Sequence, residues 1–128
     1  MGHVVVTPFR NEESCLPRSI EAMISQSILP SEWVLVDDFS TDGSKKIVED
    51  AMSKFPWIKL VSFHANSPRS RGEKIARLFN YGVKSIDHDW EFCSKIDADM
   101  ILPEGYFQQV LEEFENEENL GIASGNCF

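Results

Sequence analysis

Two hydrophobic periods alternate along the 128 residues, and no other feature of the chain narrows the choice of fold as much. Short apolar or β-branched runs read as strands: "HVVVTP" (His3 to Pro8), "WVLV" (Trp33 to Val36), "IKLVSF" (Ile58 to Phe63), "EFCSKI" (Glu91 to Ile96) and "LGIAS" (Leu120 to Ser124). Between them the spacing becomes helical, with apolar residues at Leu16, Ile20, Met23 and Ile24, at Ile47, Val48, Ala51 and Met52, at Ile75, Leu78, Phe79 and Gly82, and at Phe107, Val110, Leu111 and Phe114. Ser14 opens the first helical pattern, and Pro17 falls in its first turn, where proline is tolerated. Strands separated by helices need right-handed crossovers, so the pattern predicts an α/β fold: a Rossmann-like, mostly parallel sheet with helices on both faces.

On that scaffold the polar residues fall in one place. Asn11 and Glu12 follow the first strand, Asp37 and Asp38 end the second, Arg69 and Arg71 follow the third, and Asp97 and Asp99 end the fourth. All lie beyond the carboxyl ends of strands, the edge at which open α/β sheets bind ligands where the strand order reverses. One polar loop there would mean little; four together point to a site.

Each element also has a plain structural reading. Ser40, Thr41 and Asp42 are good helix N-caps and Gly43 is easy in a turn, but capping does not explain the adjacent Asp37 and Asp38. Arg69 and Arg71 alone would be surface charges. The acidic run "EEFENEEN" reads as a solvated helix face. Asp97 and Asp99, one residue apart after an apolar run, repel each other and call for a positive partner: a metal ion, an arginine or, failing both, solvent alone. A hard divalent cation explains the pair best, because Mg²⁺ or Mn²⁺ takes one or two carboxylates from protein and the rest of its ligands from water and phosphates. The formal net charge of −9 argues for the same cation, since an acidic pocket would otherwise repel a diphosphate, and against a nucleic-acid partner.

The size and 42% hydrophobic content suit one domain, residues 1–128. No apolar stretch reaches the roughly 18 residues a membrane span needs, and no signal pattern opens the chain, so the expected location is cytoplasmic. Cys15, Cys93 and Cys127, like His3, His64 and His88, are too scattered for a zinc site or a disulfide framework.

Four segments in this order, "TPFRNEE", "LVDDFSTDGS", "RGEKIARLFNYGV" and "DADMILPEGYF", resemble the family 2 glycosyltransferases with their GT-A nucleotide-sugar-binding fold, over nearly the whole chain. The resemblance implies transfer of a sugar from a nucleotide-diphosphate-sugar donor to a saccharide, lipid or protein acceptor, with inversion and with Mn²⁺ or Mg²⁺. It places donor-base contacts on Pro8, Arg10, Glu12 and Asp38, the ribose on Asp97 and the metal on Asp99. Arg69 and Arg71 are added as nucleotide-binding residues. Arg10 stands where an aromatic residue is often found, and a guanidinium plane can stack on a base in its place. Family members usually continue into an acceptor-binding half that supplies the catalytic base. The chain is therefore expected to be an N-terminal fragment, able to self-associate and, at full length, to work at the cytoplasmic face of a membrane. Neither Glu104 nor Glu112 is supported as a base by its spacing, and no catalytic residue is assigned.

Other classes fit less well. A haloacid-dehalogenase-like phosphatase shares Asp-x-Asp after an apolar strand, but Ile101 stands where Thr or Val is expected and too little chain follows. A receiver module would want an Asp where His64 stands, and a nucleotidyltransferase would want glycines in "TPFRNEES". A donor-binding module without turnover is the main alternative.

Overall fold

The computed structural model describes residues 2–63 and 71–116. The strand candidate at 120–124, together with Arg69, His64 and Cys127, lies outside them, as does the side chain of Arg71. The order of elements is β1 (His3–Phe9), α1 (Leu16–Ile24), β2 (Glu32–Asp37), α2 (Ser44–Lys54), β3 (Ile58–Ser62), α3 (Arg71–Lys84), β4 (Phe92–Lys95) and α4 (Tyr106–Asn116). The four described strands are all parallel, in the order β3-β2-β1-β4.

The two central strands, β1 and β2, read as nearly unbroken apolar runs because both of their faces are covered. Alternation sends Val5, Trp33 and Leu35 to one face, where they pack with Leu16, Ile20 and Met23 of α1, Val48 of α2 and Phe107 of α4. Val6, Val34 and Val36 go to the other face, against Leu78 of α3. The expected helices on both faces are thus present, three on one side and one on the other. Trp33 and Phe107 are completely buried, each contributing roughly 2–3 kcal/mol by leaving water. The Trp33 indole N–H donates to Thr7 Oγ1 at 2.9 Å, so its one polar atom is satisfied. Burial pushes the Cys93 thiol up, as suits a reduced packing residue.

Helix α1 begins at Leu16, two residues later than the Ser14 start its pattern suggests. The side chain of its N-cap residue, Cys15, makes no capping bond; the Glu12 carbonyl accepts from the amides of Cys15 and Leu16 instead. A tight turn thus replaces the side-chain cap. Among the described residues no helix is long and apolar enough to cross a membrane.

The strand order creates one topological switch. From β1 the chain moves outward through β2 to β3, then α3 crosses the opposite face and returns it to β4 on the other flank of β1. The loops after β1 and β4 therefore diverge and open a crevice at the carboxyl edge of the sheet.

Candidate functional site

A cavity of about 480 Å³ occupies that crevice. Pro8, Phe9, Arg10 and Glu12 line it from the end of β1, Asp38 from the end of β2, Lys74, Ile75 and Leu78 from α3, and Lys95, Asp97, Ala98 and Asp99 from the end of β4. Six of the eight residues expected to bind nucleotide or metal are brought together; the other two are Arg69, which is not described, and Arg71, whose side chain is not described.

The Asp37–Asp38 pair is resolved by the alternation of the strand. Both are buried, but Asp37 Oδ1 turns back to accept from the Ser40 amide at 3.0 Å and shapes the turn, while Asp38 faces the cavity. Asp38 Oδ2 pairs with Lys74 Nζ at 2.9 Å, and Oδ1 is buried with no hydrogen-bond partner among the described residues. Between the turn residues, Phe39 is held at φ 57°, a strained backbone for a bulky side chain.

The loops after β1 and β2 lock together. Asn11, at φ 51°, uses Oδ1 to accept from the amides of Thr41 and Asp42 at 2.7 and 3.3 Å, and its own amide donates to Ser40 Oγ. The Glu12 amide donates to Ser44 Oγ at 2.7 Å, and Glu13 Oε2 accepts from the Gly43 amide at 2.8 Å. The N-cap residue of α2 is Gly43, which has no side chain to bond with; Asp42, just before it, accepts from the Ser44 amide at 2.9 Å instead. Desolvation would raise its carboxyl pKa, but bonds from Ser44 and Glu13 outweigh that and hold it below the usual range. Ser40, Thr41 and Asp42 are thus partly a cap and partly one half of a clamp that fixes the Pro8 to Glu12 rim.

Asp97 and Asp99 sit on a turn closed by the Met100 amide donating to the Asp97 carbonyl. Ala98 between them is buried against the α1 side of the core, which turns both carboxylates outward. Ser19, buried on α1, fixes this turn: its hydroxyl lies 2.5 Å from the Ala98 carbonyl and 3.1 Å from that of Met100, on either side of Asp99. Just past the C-terminus of α1, Gln26 donates to the Pro103 carbonyl and accepts from the Phe107 amide. Sequence reading missed Ser19 and Gln26, because a polar residue in an amphipathic helix or just past its end carries no signal of the loop it meets.

It also missed two of the cations, Lys74 and Lys95. The positive partner of Asp97 is Lys95, with Nζ 2.6 Å from Oδ1. With Arg10 and Lys74, three cationic side chains offset the four carboxylates that line the cavity, so the pocket is less repulsive to an anion than the net charge suggests. Among the described residues no three acidic, histidine or cysteine side chains gather as a metal cage. Two exposed carboxylates on one turn nevertheless suit a cation that takes its remaining ligands from water and phosphate. Glu104 and Glu112 do not line the cavity.

Comparison with known proteins adds a family to this geometry. The family model described as "Glycosyl transferase family 2" matches residues 4–126. The minor teichoic acid biosynthesis protein GgaA of Bacillus subtilis (strain 168) is 29% identical over 123 residues, which is 93% of this chain and 26% of that protein. Among solved structures, S. aureus TarS 1-349 in complex with UDP-GlcNAc superposes with a TM-score of 0.72 at 21% identity, covering 97% of this chain and 37% of that one. The mannosyltransferase PcManGT of Pyrobaculum calidifontis, in complex with GDP-Man and Mn²⁺, gives 0.70 at 21% identity, covering 93% and 33%. The chain thus spans about a quarter of the relative and a third of each structure.

Proposed function

Because the chain belongs to glycosyl transferase family 2, we propose that its cavity binds the nucleotide-diphosphate part of a nucleotide-sugar, as the donor site of a sugar-transfer enzyme. The observation that carries this reading is the convergence of Pro8, Arg10, Glu12, Asp38, Asp97 and Asp99 on one cavity at the topological switch. Asp38 offers a buried acceptor, without a partner among the described residues, to an N–H of the base, and Arg10 is exposed at the rim, where its guanidinium plane can stack. Asp97 serves the ribose. Asp99 is the carboxylate that would hold Mn²⁺ or Mg²⁺, and the cation's chemistry there would be to neutralise charge on the diphosphate. The two structural neighbours solved with UDP-GlcNAc and with GDP-Man and Mn²⁺ support the donor class.

Calorimetric titration of UDP and GDP into the chain tests this. Binding is expected, strengthened by Mn²⁺, with the strengthening lost in Asp99→Asn. Asp38→Ala should weaken binding to different degrees for the two bases, whereas Asp99→Asn should affect both alike. No binding of either nucleotide with Mn²⁺ present sinks the reading. Hydrolysis of, or transfer from, a nucleotide-sugar separates an enzyme from a module that only binds the donor.

A further inference from the structure

Two lysines line the cavity, and none of the donor-site roles above uses them. They are held differently. Lys74 is paired with Asp38, whose side chain is only 6% exposed, so that pair is closed on one side. Lys95 and Asp97 are 36% and 55% exposed, and an ion pair this open to water holds weakly. The place of Lys95 is set by the strand. It ends β4 beside Val6 of β1, and because side chains alternate it lies on the face that carries Val6, Val34 and Val36 under α3. A residue there would be apolar if α3 covered it. Instead the row ends in an ammonium where the cavity opens.

We propose that Lys95 is a direct contact for the donor's diphosphate, so that the site keeps part of its nucleotide affinity when no divalent cation is bound. The inference rests on the nucleotide-sugar reading above. On binding, the ammonium leaves Asp97 Oδ1 and donates to a phosphate oxygen, a charge-assisted bond. Asp97 is thereby freed for a ribose hydroxyl. No covalent bond changes, and Asp99 keeps its role toward the metal. Lys74 stays with Asp38, because moving it would strand a buried carboxylate.

The test is calorimetry on the chain in excess chelator, with UDP, GDP and the matching free nucleosides, comparing wild type with Lys95→Met and Lys95→Arg. Wild type is expected to bind at least one diphosphate without metal, more tightly than its nucleoside. Lys95→Met should weaken that metal-free binding by about tenfold or more while leaving the nucleoside unaffected, and Lys95→Arg should retain most of it. Raising the salt to about 0.5 M should weaken the wild type and not Lys95→Met. A residue that only shaped the fold would move nucleoside binding and the thermal midpoint as well. The inference is overturned if wild type binds a diphosphate with Mn²⁺ but not in chelator, or if Lys95→Met binds like wild type. If neither diphosphate binds even with Mn²⁺, the nucleotide-sugar reading fails first, and this inference with it.

Discussion

Lys74 Nζ lies 2.9 Å from Asp38 Oδ2, which joins the middle of the sheet edge to the helix that crosses its far face. Lys74→Met would leave Asp38 buried without a cation. With allowance for the 29% exposure of the lysine, we expect a loss of about 1–3 kcal/mol in a urea titration. Adding Asp38→Asn should recover most of it, since the cost comes from the unpaired charge. A double variant no more stable than Lys74→Met would refute the pairing.

Ser19 holds the carbonyls on both sides of Asp99. Ser19→Ala should cost about 1–2 kcal/mol in stability and should reduce the gain in UDP affinity that Mn²⁺ provides, because Asp99 is no longer fixed. Metal-free UDP binding should change little. An unchanged Mn²⁺ gain in the variant would show that the turn holds itself.

Gly82 lies in α3 where a Cβ would come within 2.5 Å of Val6 Cγ1 and 2.8 Å of Val36 Cγ2. Alanine is the better helix former by about 1 kcal/mol, yet Gly82→Ala is expected to destabilise by about 1–3 kcal/mol because α3 must move off the sheet. A thermal midpoint at or above that of wild type would contradict the close approach.

His3 is buried on β1, with Nε2 3.0 Å from Ser94 Oγ and Nδ1 without a partner among the described residues. Burial lowers its pKa from 6.5 to about 4. Between those values the unfolded chain binds a proton and the folded one does not. Stability from this group is therefore full above about pH 6.5 and falls as the pH drops to about 4, by roughly 3 kcal/mol in all. Urea midpoints at neutral pH and near pH 4.5 should fall further apart for wild type than for His3→Leu. Equal slopes would show that another group dominates.

Much of this was legible in the residues themselves, for a local reason. The period of apolar residues depends on backbone geometry over a few positions, so the four described strands, their helices and the parallel class could be read from "HVVVTP" or from Leu78 and Gly82 without knowing any neighbour. The place of Asp38 and Asp97 followed too, because polar residues at successive strand ends must share one edge of a parallel sheet.

What that edge does with its charges was decided only by the tertiary structure. Whether Asp37 or Asp38 faces the cavity depends on the phase of β2 against β1, set by the pairing of Phe9 with Asp37. Asn11 stands alone in the sequence and becomes a clamp only when the loop some 30 residues later closes on it. Lys74 reaches Asp38 because α3 crosses over β1 and β2. Lys95 and Asp97 are near neighbours, yet their meeting requires β4 to end and the chain to turn outward over a buried Ala98. A sequence records which side chains are charged; which charges cancel depends on distances of a few ångströms, and only the packed fold sets those.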